Sequence, residues 1–167
     1  MTQASSPEVD PKALRQVFGQ FCTGVTVVLT QDADGNPYGI TVNSFSSVGL
    51  DPPLALFCIT RDSDTLPALE QSRTFSVNIL ADTQQDISNR LAKKGGSEKL
   101  DGLGLTRRVS GAPALEQSLA LLDCEVFAFY DGGDHVIVVG RIVDAEILDE
   151  GGAPLLYFRS SYATVDS

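Results

Sequence analysis

The chain has one histidine and three cysteines among 167 residues, a poor supply of metal ligands. The spacings of Cys22, Cys58 and Cys124 match no zinc-binding pattern, and the number of cysteines is odd. All three cysteines have apolar neighbours in the sequence. We therefore expect buried free thiols and no metal site.

Basic residues and long apolar runs are also scarce. The chain has 12 Lys plus Arg against 22 Asp plus Glu, and its net charge of −10 disfavours nucleic acids and anionic membrane surfaces as partners. No apolar run approaches the length of a membrane span. The first ten residues contain neither the basic nor the apolar part of a secretory signal, so we expect a cytoplasmic protein.

The length and composition are those of one globular domain. Hydrophobic residues make up 43% of the chain and charged residues 20%, which suits a protein with a substantial core. We expect a flexible tail over residues 1–9 and a single domain over residues 10–167.

Short strands dominate the pattern along the chain. Asp10 and Pro11 can open a helix with an apolar face that ends at Gly24. β-Branched and apolar runs predict strands over residues 25–30, 38–48, 54–60, 74–80, 121–130, 135–148 and 154–159. The run 54–60 does not alternate, so we expect both of its faces to be buried. This pattern favours a mainly β fold, an antiparallel barrel with a few peripheral helices.

Residues 41–47 are rich in small side chains that can donate hydrogen bonds. Thr41, Asn43, Ser44, Ser46 and Ser47 fall within seven residues, and the tandem prolines 52 and 53 follow. The segment has neither the lysine of a Walker loop nor the glycines of a dinucleotide fingerprint. It suits a ligand rich in oxygen and nitrogen acceptors, such as a flavin, although an ordinary polar strand and turn would show the same pattern.

His135 follows two glycines and an aspartate at the start of a predicted strand. A histidine at the start of a strand, next to a turn, is placed to contact a ligand. The alternative is a turn histidine that forms only local hydrogen bonds. Ser63 and Thr65 stand before a short predicted helix, where hydroxyl and N–H groups can bind an anion or simply cap the helix.

Half of the basic residues lie in one window, residues 90–108. This window could neutralise a ligand phosphate, or it could be a solvated, mobile loop. Lys99 is the strongest candidate because Leu100 can anchor it. No Ser–His–Asp arrangement or distinguished carboxylate pair is present, which favours chemistry carried by a bound cofactor.

Six short segments of the chain resemble those of the flavin reductase family, the reductase components of two-component flavin-dependent monooxygenases; we call these segments landmarks. The landmarks run from about residue 14 to residue 162, in the family's order and spacing: Phe21 to Val28, Gly39 to Val48, Asp51 to Leu54, Phe75 to Leu80, Gly133 to His135, and Pro154 to Phe158. Two positions depart from the family pattern. Gly49 stands where the family usually has serine, and Glu98-Lys99-Leu100 replaces its Asp-Lys-Phe element.

The resemblance implies an FMN-binding split barrel that forms a homodimer. It also implies an enzyme that transfers hydride from NADH or NADPH to FMN or FAD and supplies reduced flavin to a separate monooxygenase. The flavin-binding residues it implies are Thr41, Val42, Asn43, Ser44, Phe45, Ser46, Ser47, Ser63, Thr65 and Lys99, and it associates His135 with the nicotinamide. The alternatives are a flavin-binding protein without turnover, for storage or sensing, and a related split-barrel oxidase.

Overall fold

The computed structural model describes residues 9–165, and antiparallel strands dominate it. The strands are β1 Thr23–Gly24, β2 Thr26–Gln31, β3 Pro37–Val42, β4 Ser46–Leu50, β5 Pro53–Thr60, β6 Thr74–Ile79, β7 Leu105–Arg107, β8 Pro113–Leu115, β9 Ala120–Gly132, β10 His135–Ile147, β11 Leu156–Phe158 and β12 Ser161–Ala163. The helices are α1 Pro11–Phe18, α2 Leu66–Ser72 and α3 Gln85–Leu91, with 3-10 turns at Asp82–Gln84 and Ser97–Leu100. Among these residues no helix has the length and apolar character to cross a membrane. The tail predicted over residues 1–9 lies, apart from Val9, outside the described residues.

Seven strands form one antiparallel sheet in the order β3-β2-β6-β9-β10-β5-β4. The two edge strands, β3 and β4, are consecutive in the chain and are joined by residues 43–45 alone. In a flat sheet these edges would lie about 29 Å apart, whereas a three-residue connection reaches about 14 Å. The sheet therefore curls until its edges lie side by side, which confirms the expected antiparallel split barrel with peripheral helices. We call the line where the two edges meet the seam.

Two apolar clusters fill the two sides of the curled sheet. The first contains Phe57 and Phe75, fully buried and packed edge to face with ring centroids 5.2 Å apart. The second lies on the other side of β2 and includes Leu29, Leu80 and Leu91. β2 is thus buried on both faces, because Val28 belongs to the first cluster while Val27 and Leu29 belong to the second.

The prediction that residues 54–60 are buried on both faces was wrong. In β5 the residues Ala55, Phe57 and Ile59 are buried, whereas the alternate residues between them are only half-buried. These alternate side chains point to the outer side of the sheet, where they are covered only in part. An apolar run of this kind does not show from the sequence that one of its faces is left partly open.

The first helix begins as predicted and ends earlier. The Asp10 carboxylate accepts hydrogen bonds from the N–H groups of Lys12 and Ala13, at 3.1 and 3.3 Å, so it caps the helix. The helix ends at Phe18 rather than at Gly24, and Gly19 follows as its C-cap. Its apolar face is open to solvent, since Val17 and Phe18 are each 66% exposed.

The extended segment predicted over residues 38–48 is interrupted at residues 43–45, where the chain passes from one edge of the sheet to the other. The strand predicted over 154–159 is the shorter β11, and it pairs with β1 and with β12, which was not predicted. The small β7–β8 pair was also not predicted.

The three cysteines are free, but only one of them is buried. Burial raises the pKa of the Cys124 thiol to about 12, which keeps it protonated and unreactive. Cys58 is half-buried and Cys22 is exposed, so the expectation of buried thiols was wrong for these two. Cys22 lies just beyond α1, where its apolar neighbours are themselves exposed.

Candidate active site

The seam is closed by one serine. The Ser44 hydroxyl accepts a hydrogen bond from the Cys58 N–H at 2.9 Å and donates one to the Cys58 carbonyl at 3.3 Å. Ser44 lies in the connection between the two edges and Cys58 lies in the middle of β5. The serine side chain therefore takes the place that a backbone partner would take in a continuous ladder, and it fixes the seam beside the connection.

Three small clefts meet along the seam, with volumes of about 180, 190 and 160 Å³. We name them the tyrosine, histidine and lysine clefts. The tyrosine cleft is lined by Val25, Thr41, Val42, Asn43, Ser88, Ala92, Tyr157 and Tyr162. The histidine cleft is lined by Ile40, Thr41, Val42, Asn43, Ser44, Cys58, Thr60 and His135. The lysine cleft is lined by Ile40, Thr60, Asp62, Ser63, Asp64, Ala92, Lys93, Lys94 and Lys99.

Each pair of clefts shares lining residues. The tyrosine and histidine clefts share Thr41, Val42 and Asn43, and Ile40 and Thr60 belong to both the histidine and lysine clefts. Ala92 lines both the tyrosine and lysine clefts. Each cleft alone is smaller than a usual site for a nucleotide-sized ligand, whereas together they form one branched groove centred on the end of β3.

The free edge of β3 faces this groove. The Gly39 carbonyl accepts hydrogen bonds from the Lys99 ammonium at 3.0 Å and from the Thr65 hydroxyl at 3.1 Å, so it points away from the paired strand β2. Backbone directions alternate along a strand, so the N–H and C=O of Thr41 point the same way. An edge strand thus offers backbone donors and acceptors to a ligand beside it.

Lys99 is held inside the lysine cleft rather than in a mobile loop. Its ammonium donates to the carbonyls of Gly39 and Lys93, at 3.0 and 2.9 Å, and the residue is 9% exposed. Burial lowers the pKa of Lys99, while the nearby carboxylates of Asp64 and Glu98 act in the opposite direction. Because its two hydrogen-bond acceptors are neutral, the positive charge remains available to an anion.

Most other basic residues of the window 90–108 have other hydrogen-bond and ion-pair partners. Lys94 is paired with Asp62 at 2.8 Å at the rim of the lysine cleft. Arg108 is paired with Asp144 and Glu146, and Arg107 donates to the carbonyls of Gly35 and Gly111. These two arginines therefore act away from the groove, whereas Arg90 donates to the carbonyls of Glu98 and Asp101 beside Lys99. Lys93, Lys94 and Lys99 are the lysines that line the groove.

The start of α2 offers fewer donors than the sequence suggested. The N–H of Ser63 donates to the Thr60 carbonyl, that of Thr65 to the Ser63 hydroxyl and that of Leu66 to the Ser63 carbonyl. Pro67 has no N–H. Most backbone donors of this turn are thus used internally, and the attraction for an anion here comes from the lysines.

His135 lines the histidine cleft from the first position of β10, opposite Thr60 of β5. Its Nδ1 is 2.7 Å from the Asp134 carboxylate, and this hydrogen bond with His135 lowers the pKa of Asp134. An ionised carboxylate can only accept, so Nδ1 carries the proton. Nε2 is then the ring nitrogen available to a ligand.

The structure brings together seven of the residues proposed from the sequence, since Thr41, Val42, Asn43, Ser44, Ser63, Lys99 and His135 all line the groove. Four others lie outside the lining. Thr65 is buried, with its hydroxyl bound to Gly39, and Phe45 packs against the first apolar cluster. Ser46 and Ser47 are exposed on β4.

The tyrosine cleft was not anticipated from the sequence. Tyr157 and Tyr162 form its wall, with ring centroids 5.5 Å apart. The Tyr162 hydroxyl bonds to Ser88 at 2.8 Å and to Asn89 at 3.1 Å, and the Thr41 hydroxyl donates to the Ser88 carbonyl at 2.7 Å. These partners come from three distant parts of the chain, so no local pattern could have joined them.

The residues of the groove fit a flavin. Its centre combines apolar walls from Ile40 and Val42 with uncharged donors and acceptors from Thr41 and Asn43, which suits a flat ring with polar edges. The Asn43 side chain is exposed and makes no hydrogen bond within residues 9–165. The lysine cleft beside it can neutralise a phosphate.

Cys58 gives a direct chemical test of where the flavin binds. In a Cys22→Ser variant, Cys58 is the one reactive thiol that remains, because Cys124 is buried with a pKa of about 12. Saturating FMN is expected to slow alkylation of Cys58 by at least about fivefold, since Cys58 is one of the residues that line the histidine cleft. Mass spectrometry of iodoacetamide-treated protein measures the rate, and an unchanged rate with bound FMN would place the ligand elsewhere.

Comparisons with known proteins agree with the fold. A family model described as flavin reductase like domain matches residues 18–166. The reductase subunit HsaB of a flavin-dependent monooxygenase from Rhodococcus jostii is 42% identical over 159 residues, which are 95% of this chain and 80% of that protein. A flavin reductase from Pseudomonas putida is 38% identical over 154 residues, covering 92% of this chain and 89% of its own.

A solved structure shows the same architecture. The NADH:FAD oxidoreductase from Streptomyces globisporus superposes with a TM-score of 0.87 at 33% identity, covering 98% of this chain and 100% of that one. The same protein has been solved in complex with NAD and FAD fragments. Likeness of this extent, in sequence and in fold, shows that the chain belongs to the flavin reductase like domain family.

Proposed function

We propose that the chain is the NADH-dependent reductase component of a two-component monooxygenase system, reducing FMN or FAD for a separate enzyme. The observation that carries the proposal is the branched groove, because one continuous surface joins a buried lysine, the free edge of β3 and the single histidine. The reductase subunit from Rhodococcus jostii supports the monooxygenase partner. We further propose that residues 10–167 act as one domain; a cytoplasmic location stays a prediction.

Each part of the groove has a separate task in this proposal. A bound flavin supplies the redox chemistry, since its ring takes up the hydride that the nicotinamide gives. Lys99 and Ser63 hold the phosphate, and Thr41 and Asn43 offer neutral donors to the polar edge of the ring. His135 orients the nicotinamide through Nε2 rather than moving a proton, since hydride transfer itself needs none.

We propose NADH rather than NADPH as the donor, because NADH is the donor named for the Streptomyces globisporus relative. A steady-state assay that crosses FMN and FAD with NADH and NADPH tests this preference.

A homodimer is the second part of the proposal. The outer face of β5 and β10 carries apolar side chains that are only partly covered, including Leu54, Leu56 and Ile137, and it continues to His135 and Cys58 of the histidine cleft. A second copy on this face would remove apolar surface from water beside the site. Sedimentation equilibrium measures the mass, and a monomer at micromolar concentration would contradict the dimer.

The assignment of His135 is tested by replacing it with alanine. We expect the KM for NADH to rise about tenfold and the Kd for FMN to change less than about twofold, because His135 contacts the nicotinamide and not the flavin phosphate. NADH oxidation with added flavin, followed by absorbance, measures the first value, and flavin fluorescence titration measures the second.

Equal losses of NADH and flavin affinity would contradict the separate role of His135. The wild-type protein provides the broader test. If it showed no flavin-dependent oxidation of NADH or NADPH, a flavin-binding protein without turnover would be the better interpretation.

A further inference from the structure

The turn that carries His135 is tied to the neighbouring strand by a single arginine. Gly133 and Asp134 form the two-residue turn between β9 and β10, and Gly133 has a φ of 76°, which glycine tolerates best. Arg61 directly follows β5, whose last residue, Thr60, pairs with His135. The arginine therefore stands where the pairing between β5 and β10 ends.

Arg61 makes two bonds to this turn and a third to β9, the strand before it. Its backbone N–H donates to the Asp134 carbonyl at 3.0 Å, and its Nε donates to the Gly133 carbonyl at 2.8 Å. Its terminal guanidinium nitrogen is paired with the Asp131 carboxylate at 2.5 Å, and this pair lowers the pKa of Asp131. The planar guanidinium donates to the Gly133 carbonyl and the Asp131 carboxylate from two nitrogens in a fixed geometry, which the single nitrogen of a lysine does not reproduce.

Fixing the backbone at Asp134 also fixes the imidazole. The Asp134 carbonyl accepts from the backbone N–H of Arg61, which any residue there would offer, and the arginine side chain adds the bond to the adjacent Gly133 carbonyl. The carboxylate of Asp134 is bonded to Nδ1 of His135. A turn free to move would let this exposed carboxylate swing away and leave the ring without a defined tautomer. The chain of contacts thus runs from Arg61 through the turn to the nitrogen that faces the ligand.

We propose that Arg61 is a positioning residue for the nicotinamide step, holding the Gly133–Asp134 turn so that His135 keeps its proton on Nδ1 and presents Nε2 to the groove. Arg61 does not line the groove itself, so it acts through His135 and not by touching the ligand. The proposal rests on the role given above to His135.

The single histidine of the chain makes the orientation directly measurable. Nitrogen-15 NMR of tag-free protein, at a pH where the ring is neutral, reports which ring nitrogen carries the proton. In the wild type we expect the Nδ1–H tautomer. In Arg61→Met we expect a shift towards the Nε2–H tautomer common in free histidine, and Arg61→Lys should restore the wild-type signal only in part.

Kinetics provide the second readout. Arg61→Met is expected to raise the KM for NADH about three- to tenfold, with the Kd for FMN unchanged within about twofold. Asp131→Asn, which weakens one of the three bonds, should give a smaller change in the same direction. Arg107→Met is the matched control, because Arg107 is also exposed and also joins two turns, through Gly35 and Gly111, outside the groove.

A double-mutant cycle separates this inference from the proposal beneath it. If Arg61 acts through His135, Arg61→Met adds no further rise in KM once His135 is alanine. An equal rise in the His135→Ala background overturns the positioning role, and so does an unchanged tautomer in Arg61→Met. An unchanged KM in His135→Ala itself would instead overturn the role of the histidine.

Discussion

FMN is expected to bind a Lys99→Met variant about 10- to 100-fold more weakly than the wild type, the range expected for a hydrogen bond to a charged group. Lys99 is buried in the lysine cleft, its ammonium is held by two neutral carbonyls, and no carboxylate is paired with it within residues 9–165. A ligand phosphate would supply the missing counter-charge. Fluorescence titration of FMN measures the change.

Riboflavin is the sharpest control for this variant, because it has the ring and the ribityl chain of FMN but no phosphate. Its affinity should be nearly equal in Lys99→Met and in the wild type. Lys12→Met removes the same charge from α1, which does not line the groove, and should leave FMN binding unchanged. Equal weakening of FMN and riboflavin would show that Lys99 supports the shape of the groove instead.

The charge state of Lys99 adds a pH dependence. Burial lowers the pKa of this lysine, so it loses its proton at a lower pH than an exposed lysine does. FMN affinity should therefore decline as the pH rises through this lowered pKa.

Replacing Gly140 with alanine is expected to lower the free energy of unfolding by about 3 kcal/mol. A methyl group on Gly140 would overlap the Phe75 ring and would lie 3.2 Å from the Cys124 side chain. Phe75 is fully buried against Phe57, so the ring has no free space into which it can move. Urea denaturation followed by circular dichroism measures the loss.

Two further variants test this explanation. Gly24→Ala is the matched control, because a methyl group there has no neighbour within 4 Å and the change should cost less than about 0.5 kcal/mol. Phe75→Leu shortens the obstructing side chain, so the double variant Gly140→Ala with Phe75→Leu should be more stable than the sum of the single losses. Strict additivity would rule out the steric conflict.

The strands and the long hairpin could be predicted because their signals are local. The β-branched run of β2 and the Gly-Gly turn between β9 and β10 are readable in a few consecutive residues. The same holds for Asp10, whose capping role depends only on residues two and three positions further along. The resemblance to a family then supplied the barrel, which no single segment reveals.

The features that could not be predicted depend on contacts between segments that are distant in the sequence. No other part of the described chain fully covers the outer face of β5, the apolar side of α1 or the thiol of Cys22. An apolar segment has the same sequence pattern whether its surface is covered or exposed, so the sequence did not predict this exposure. The sequence singled out Lys99 because Leu100 could anchor it, but no local pattern indicates that the Gly39 carbonyl, sixty positions earlier, accepts a hydrogen bond from its ammonium.

Residues 43–45 join the two edges of the sheet, so a ligand bound beside them touches the edge strand β3 and the end of β5 that lies beyond its pairing with β4. Amides of edge strands exchange with solvent more readily than those of central strands. A cofactor spanning β3 and β5 would thus slow deuterium uptake along a much longer stretch of chain than it contacts. In this architecture, cofactor binding and local opening of the barrel wall are therefore linked equilibria.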